Sequence, residues 1–190
     1  DFPVDTSFAQ VGIVKNPTKV GTNDVYQENT FSGLSSFKFS TITGTPKVGE
    51  KIEQIVANGT GKAFGYVASY DIETKVLKYF RDRSLFYNQT VFNQRDYAGI
   101  STNGRPYDFE SSSNVISGNS SNFSAAIDTA FAGITTNPTG TKLINLGVDF
   151  TSGMAVPEIN KGSGEIIYLD NRASIARNAR QKEDLKIILE

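Results

Sequence analysis

The stretch GEIIYLDNR, Gly164–Arg172, contains the clearest strand-forming run of the 190-residue sequence. Its residues 166–169 are β-branched, aromatic or aliphatic, and Asp170-Asn171 supplies side chains that favour a turn. After a polar gap comes DLKIILE, residues 184–190, in which three apolar residues recur at every second position and leave one strand face fully apolar. We predict that these two strands form the closing pair of an all-β core.

Composition restricts the chemistry of the chain. It contains no His and no Cys, which excludes disulfides, thiolate or imidazole metal sites, and Ser-His or Cys-His catalysis. Lys and Arg number 19 and Asp and Glu 20, and the positive charge does not cluster as nucleic acids or anionic membranes require. We therefore expect no cofactor, no metal, no catalytic residues, no nucleic-acid partner and no membrane partner.

The sequence contains no long apolar run or amphipathic targeting segment of the kind that directs a chain to or across a membrane. It begins at Asp1 rather than Met. We interpret it as a fragment or a processed piece of a longer protein.

The distribution of apolar runs predicts a mainly β fold with a β-sandwich core formed by both chain ends, residues 1–36 and 138–190. Residues 37–92 are predicted to be a small β-barrel-like insertion. Residues 93–137 are rich in Ser, Asn and Gly, and we expect a long surface loop with one short helix at about 122–132.

The barrel-like insertion is predicted from alternating apolar residues in three runs, Lys51–Val56, Lys62–Tyr70 and Lys75–Phe80. Turn-forming residues at Asn58–Gly61 and Asp71–Thr74 separate these runs. Short strands at such regular spacing are typical of a small barrel or a sandwich.

The helix at about 122–132 is predicted from an apolar stripe. Its residues recur at the spacing of a helical face, and they are Phe123, Ala126, Ile127, Ala130 and Phe131. Gly133 is placed to end such a helix.

Two motifs are better explained as turns and surface than as sites. GTPKVGEK, Gly44–Lys51, approaches a phosphate-binding loop, but Glu50 stands where that loop needs lysine, so we interpret it as a turn. Two acidic pairs are further candidates, and they are Asp108 with Glu110 and Glu183 with Asp184. A glycosidase needs two carboxyl groups facing each other across a cleft, and we expect solvated surface instead.

Two segments together resemble a known family. Ser7–Pro17 and Gly164–Arg172, with Ile175, Gln181 and Glu183–Leu189 behind them, resemble the carboxy-terminal part of the baseplate wedge subunit, gene product eight, of T-even-like contractile-tail phages. The resemblance covers about 17 residues at the front and about 27 at the back. About 145 residues separate the segments here, whereas the family has a much shorter link, so the intervening module is expected to be an insertion.

The resemblance implies a non-enzymatic virion structural protein, a component of the baseplate wedge that acts through protein–protein assembly. It further implies other baseplate proteins and a homodimer as partners, and the virion, assembled in the host cytoplasm, as location. A carbohydrate- or receptor-binding module of a phage tail is the first alternative, because Tyr66 and Tyr70 would stack on sugars. A carboxylate-based glycosidase is the second.

A partner interface is predicted at the end of the apolar run. Tyr168 offers a rigid apolar body with a polar tip, and Arg172 follows the predicted turn, where its guanidinium would project from the rim. The predicted interface residues are Tyr168, Asn171, Arg172, Arg177, Arg180 and Gln181. The alternative is that Tyr168 belongs to the core and Arg172 only braces the turn.

Overall fold

The computed structural model describes residues 6–27, 31–81, 85, 97–102, 105–112, 114–160 and 162–176. Within them the fold is mainly β, as predicted, with only short 3₁₀ turns beside the strands. The chain forms two compact units, Asp1–Val25 together with Ile159–Glu190, and Tyr26–Glu158. In chain order the strands are β1 (Thr6–Lys15), β2 (Ser35–Thr43), β3 (Lys51–Val56), β4 (Gly61–Asp71), β5 (Val76–Phe80), β6 (Ile116–Gly118), β7 (Ser124–Ile127), β8 (Gly133–Thr136), β9 (Ile144–Phe150), β10 (Met154–Ala155) and β11 (Glu165–Ala176).

Six strands of the larger unit form a closed antiparallel barrel. Their order is β2-β5-β4-β3-β6-β7, and β7 returns to pair with β2. Closure gives each of these strands a hydrogen-bonding neighbour on both sides and so removes the exposed sheet edges. The prediction of a barrel-like module is confirmed, but β6 and β7 come from beyond its predicted end at residue 92.

Strand β2 is the strand at which the barrel closes. One of its edges pairs with β5 over Ser35–Lys38. Its other edge pairs first with β10 and then, from Phe39 to Thr43, with β7. A bulge between Phe39 and Thr41 interrupts the β7 ladder, and such an extra residue bends a strand and increases its twist. That bend lets one nine-residue strand serve three partners.

The barrel interior is filled by residues from every strand, because alternate side chains of each strand point inward. Phe37 and Tyr79 stack with ring centroids 4.4 Å apart, and Phe109 meets both rings edge-on. Burial raises the pKa of the Tyr79 hydroxyl to about 12. The buried residues of this core are Phe37, Phe39, Ile52, Val56, Ala63, Val67, Leu77, Tyr79, Phe109, Ile116, Phe123, Ala125 and Ile127.

A buried glutamine ties the segment that contains Phe109 to the barrel. Gln54 lies on β3 between the inward residues Ile52 and Val56 and is 1% exposed. Its Oε1 accepts from the Glu110 amide at 2.8 Å, and its Nε2 donates to the carbonyls of Glu110 and Asn114 at 2.9 and 3.1 Å. A buried amide must be fully paired in this way, so these bonds hold Phe109 against the core.

The hairpin of β8 and β9 covers part of the barrel's outer surface. Its residues Leu146, Val148 and Phe150 pack with Val76 of β5 in a second apolar cluster. Lys38 also points outward and is buried there, with Nζ 5.5 Å from the centroid of the Phe131 ring. Burial lowers the pKa of its ammonium group. Residues 144–150 therefore belong to the larger unit, whereas the predicted core of residues 138–190 had included them.

The helix predicted at about 122–132 is wrong. Residues 124–127 form strand β7 instead, and a turn follows at residues 129–130. Apolar residues in this stretch fit both periods, and Phe123, Ala125 and Ile127 are the buried set at a spacing of two. Pairing with β2 and β6 selects the strand over the helix, because it satisfies the backbone hydrogen-bonding groups and buries that face at the same time. The predicted surface loop of residues 93–137 likewise contains β6, β7 and β8.

The smaller unit contains a two-stranded antiparallel ribbon in which the first strand of the chain pairs with the last described one. Strands β1 and β11 run side by side from Thr6 opposite Ala176 to Lys15 opposite Glu165. Asn16 follows β1 with φ of 52°, a left-handed conformation that Asn tolerates, and so ends the strand. The turn predicted at Asp170-Asn171 is wrong, because both residues continue the ladder with β1.

We expect Phe37→Ala to destabilise the barrel by about 3–5 kcal/mol, the usual cost of emptying an aromatic site in a core. Phe37 is 0% exposed and contacts three aromatic rings. Urea unfolding followed by tyrosine fluorescence measures the change. The matched control is Phe80→Ala, since Phe80 is 42% exposed on the barrel exterior and should cost far less. Equal losses for the two variants would contradict the described core.

Candidate functional site

In the described part of the chain, the largest group of exposed apolar side chains lies on the ribbon of β1 and β11. Each of them is between 42% and 65% exposed, although such residues are normally buried. They are Val11, Ile13, Val14, Ile166, Ile167, Tyr168 and Leu169. Exposed apolar side chains that cluster in this way are typical of a site of protein association.

The strand register divides these side chains between two faces of the ribbon, because residues directly opposite each other share a face. We define the first face as Val11, Ile13 and Lys15 of β1 with their partners Asp170, Tyr168 and Glu165. We define the second face as Gly12 and Val14 with their partners Leu169 and Ile166. A bulge leaves Ile167 as the extra residue between the pairs. Both faces are therefore apolar at their centres.

An asparagine fixes the loops at the base of the ribbon. The Asn160 Nδ2 group donates to Thr18 Oγ1, Lys19 O and Thr22 O at 2.8–2.9 Å, and its Oδ1 accepts from the Gly21 amide at 3.2 Å. These bonds join residues more than 130 positions apart in the chain. These polar contacts thus hold the first and last parts of the smaller unit together, and the apolar faces of the ribbon are not needed for that purpose.

The structure describes only part of the predicted interface. Tyr168 lies in β11 and is 52% exposed, and its role as an interface residue stays a prediction. Asn171 and Arg172 are described by their backbone alone, within β11 and opposite Gln10 and Ala9. The expectation that Arg172 follows a turn is therefore wrong. Arg177, Arg180 and Gln181 lie outside the described residues.

Sequence reasoning missed most of the ribbon's apolar surface, and in particular the contribution of β1. The available signal was two runs of adjacent apolar residues, Ile13-Val14 and Ile166–Leu169. Adjacent apolar residues in a strand point to opposite faces, so such a run indicates a strand that is to be covered on both sides.

Glu50, from the stretch that approaches a phosphate loop, closes the turn between β6 and β7. It is 6% exposed, and its carboxylate accepts from the Lys47 amide at 2.6 Å and from the amides and hydroxyls of Ser120 and Ser121 at 2.7–3.2 Å. Burial by itself raises the pKa of Glu50, but the hydrogen bonds from Lys47, Ser121 and Ser120 outweigh it and lower the pKa below 4.5. The carboxylate oxygens of Glu50 therefore stabilise the fold, in agreement with the interpretation of this stretch as a turn.

Asp108 and Glu110 do not form a facing carboxylate pair. Asp108 pairs with Arg81 Nη1 at 2.6 Å and its side chain is 89% exposed, whereas Glu110 Oε1 accepts from the Ala57 amide at 3.2 Å. The other acidic pair, Glu183 and Asp184, lies outside the described residues. In the described ranges no group of three or more Asp or Glu side chains is arranged to hold a metal ion.

A groove of about 240 Å³ lies beside the β4–β5 turn, and it is lined by Ser69, Asp71, Thr74, Val76, Lys78, Ile144, Asn145 and Leu146. Asp71 accepts from the Glu73 amide and from Thr74 Oγ1, both at 2.9 Å. Asn145 Oδ1 accepts from the Gly147 amide at 2.8 Å. Two polar residues that line the groove, Asp71 and Asn145, therefore stabilise the turns that surround it.

The fold and the ribbon define a class, a mainly β protein in which a closed six-stranded barrel accompanies a ribbon with two exposed apolar faces. No protein-family model, curated protein or solved structure matches the chain. No helix in the described ranges is long and apolar enough to cross a membrane.

We expect Glu50→Gln to destabilise the protein by about 1.5–3 kcal/mol, because it removes a charge that five donors stabilise. The folded-state pKa lies below the unfolded one, so this stabilisation is fully present above pH 4.5 and is lost as pH falls through the folded-state pKa. Urea unfolding between pH 7 and pH 2 measures both effects.

The matched control for Glu50 is Glu53→Gln. Glu53 is 38% exposed and forms a surface ion pair with Lys62, which contributes about 0–1 kcal/mol. On acidification, we expect Glu50→Gln to lose less stability than the wild type. Glu53→Gln should lose as much stability as the wild type. The same acid dependence in all three proteins would contradict the role of Glu50.

Proposed function

We propose that this protein is a virion structural protein, a component of the baseplate wedge of a contractile-tailed phage, that acts through protein–protein assembly. The observation that carries the proposal is the two-faced apolar ribbon. A lone two-stranded ribbon is marginal in water, and each of these half-exposed apolar side chains contributes on the order of 1 kcal/mol when a partner covers it. We expect an exposed apolar surface of this kind to be covered by a partner when the protein assembles.

The resemblance to the baseplate wedge family supports the finer proposal. Its two segments, Ser7–Pro17 and Gly164–Arg172, are far apart in the sequence but coincide with the strands that pair to form the ribbon. A resemblance of two separate stretches to one family has more weight when the stretches are neighbours in space. We further propose that the ribbon becomes part of a β-sandwich when a partner covers its faces, which is the sandwich core expected from both chain ends.

We propose a non-enzymatic role. This accords with the absence of His and Cys from the whole sequence and with the structural use of Glu50. The proposed location is the virion, assembled in the host cytoplasm.

A carbohydrate- or receptor-binding role is the second candidate. The observation that favours it is the aromatic pair of Tyr66 and Phe80 on the barrel exterior, with ring centroids 5.6 Å apart and Phe80 42% exposed. Tyr70 no longer belongs to this surface. A bulge between Val67 and Ser69 changes the alternation of β4, so that Tyr70 packs against the barrel core.

The virion proposal predicts that the protein is a stoichiometric part of purified phage particles. We expect mass spectrometry of particles to detect it, and antibodies against the barrel to label the tail baseplate. A lysate protein of the same abundance serves as the control for contamination. Absence of the protein from particles that infect normally would overturn the proposal.

We expect Tyr168→Ala to weaken assembly with the partner by on the order of 2 kcal/mol, as for an aromatic interface anchor. The thermal midpoint of the isolated chain should hardly change, because Tyr168 is 52% exposed there. Complementation of a phage that lacks the gene measures assembly as the yield of complete tails. Tyr66→Ala is the matched control on the barrel surface and should leave the yield unchanged.

The second candidate makes a different prediction for the same residues. If the barrel binds a carbohydrate, a glycan array should show a specific ligand that is lost in Tyr66→Ala and Phe80→Ala and retained in Tyr168→Ala. An array without specific binding would remove this candidate.

A further inference from the structure

We propose that the groove beside the β4–β5 turn binds a small carboxylate that also carries hydroxyl groups, which is the chemistry of a single uronic acid unit. The groove lies on the outer surface of the barrel, where residues of β4, β5 and their turn meet the start of β9. All of its lining residues belong to the larger unit. The inference therefore goes beyond the proposed assembly through the ribbon and does not depend on it.

The positive charge of the groove comes from Lys78. This residue lies on β5 directly opposite Ser69 of β4, and residues opposite each other in an antiparallel pair share a face of the sheet. Both line the groove. Among the described residues Lys78 has no hydrogen-bond or ion-pair partner, although its ammonium group can donate three bonds. A ligand carboxylate accepts from this group and from the Ser69 hydroxyl.

The negative charge of the groove comes from Asp71, which is diagonal to Lys78 on the same face. Asp71 lies opposite Val76, two residues beyond Ser69 on β4, and such diagonal neighbours in a sheet are about 7–8 Å apart. The described structure shows no ion pair between Asp71 and Lys78. Asp71 repels a bare anion such as phosphate, and Lys78 repels a bare cation. The pair favours a ligand with one negative group at one end and hydrogen-bond donors at the other.

The polar groups near Asp71 suit hydroxyl groups. Asp71 Oδ1 accepts from the Glu73 amide and Oδ2 from Thr74 Oγ1, both at 2.9 Å, which leaves each oxygen able to accept one more bond. Asn145 uses its Oδ1 for the Gly147 amide, so its amino group remains to donate. A hydroxyl group both donates and accepts, and it can therefore bond to Asp71 and Asn145 in turn.

The volume and the apolar lining of the groove suit one sugar ring. Pockets for drug-sized ligands have volumes of about 300–1,000 Å³, and the groove, with about 240 Å³, is smaller. Val76, Ile144 and Leu146 form its apolar part, and Val76 and Leu146 belong to the second apolar cluster. The carbon–hydrogen face of a sugar ring packs on these residues while its polar groups meet the others. Ser69 and Asn145 are exposed, so the ligand can enter from solvent.

The test is the binding of methyl glucuronide and methyl galacturonide to the full chain, measured by calorimetry and by backbone amide shifts in NMR spectra. Methyl glucoside lacks the carboxylate and glycine lacks the hydroxyl groups, so these two are the control ligands. We expect the uronides to shift the amides of Ser69, Lys78 and Asn145. Both control ligands should bind at least about 10-fold more weakly, because each lacks hydrogen bonds to a charged side chain.

Two variants remove single contacts to the ligand. Lys78→Met removes the charge but keeps an unbranched side chain, and it should lower uronide affinity about 10-fold or more, whereas Lys78→Arg should retain most of it. Asn145→Asp keeps the acceptor for the Gly147 amide and replaces the donor with a negative charge, so it should weaken binding by a similar factor. Circular dichroism and thermal unfolding show that each variant is folded.

The matched control is Lys62→Met, which removes the same charge from the other end of β4, where Lys62 pairs with Glu53. Uronide affinity should be unchanged in this variant. An equal loss of affinity in Lys62→Met and Lys78→Met would show a general effect of charge and contradict the site.

Four further results would overturn the inference. They are no uronide binding at concentrations up to about 20 mM, equal binding of methyl glucoside or glycine, full affinity in a folded Lys78→Met variant, and amide shifts at Tyr66 and Phe80 instead of the groove. The last result would favour the second candidate function. A chain that binds no uronide, but in which Tyr168→Ala still lowers the yield of tails, would overturn the groove site and leave the proposed function standing.

Discussion

Pairing of β2 with β5 on one edge and with β7 on the other is the constraint on which the larger unit depends. Phe37 and Phe39, the largest inward residues of β2, are fully buried only because strands on both sides complete the wall around them. The partner residues of β7 lie more than 80 positions further along the chain. Formation of this contact therefore has a high entropic cost, which the buried aromatic core offsets.

The contacts around the barrel all serve that closure. Gln54 holds Phe109 against the core through three hydrogen bonds, and Glu50 anchors the turn between β6 and β7 through four, from the amides and hydroxyls of Ser120 and Ser121. Both side chains are buried polar groups whose partners come from distant segments. Such groups stabilise a fold only when fully paired, so they also select this one arrangement of loops.

The ribbon stands in contrast to the barrel. Its polar base around Asn160 is fully bonded, whereas its apolar strands remain exposed. In the barrel the chain satisfies its own backbone edges and buries its own apolar faces. In the ribbon it does neither within the described residues, and its strands keep exposed edges and exposed apolar side chains.

Where the local sequence pattern was compatible with only one secondary structure, the pattern was sufficient to predict that structure. Lys51–Val56 alternates clearly, and the strand has those bounds in the structure. Asn16-Pro17 ends β1, because Asn accepts the left-handed conformation and Pro donates no hydrogen bond. Around Phe123 and Ile127 the pattern fitted two periods, and around Asp170-Asn171 the turn tendency of two side chains competed with a ladder to β1. In both places the distant partner strand decided.

The sequence by itself determined the mainly β class, most strand positions in residues 37–80, and the exclusion of histidine and cysteine chemistry, because these follow from residue types and short-range periodicity. Only the tertiary structure decided that the barrel closes through β6 and β7, that Tyr70 turns inward, and that both ribbon faces remain exposed. These features depend on which strands meet and in what register. A shift of one residue in register reverses every side chain, and no local pattern contains that information.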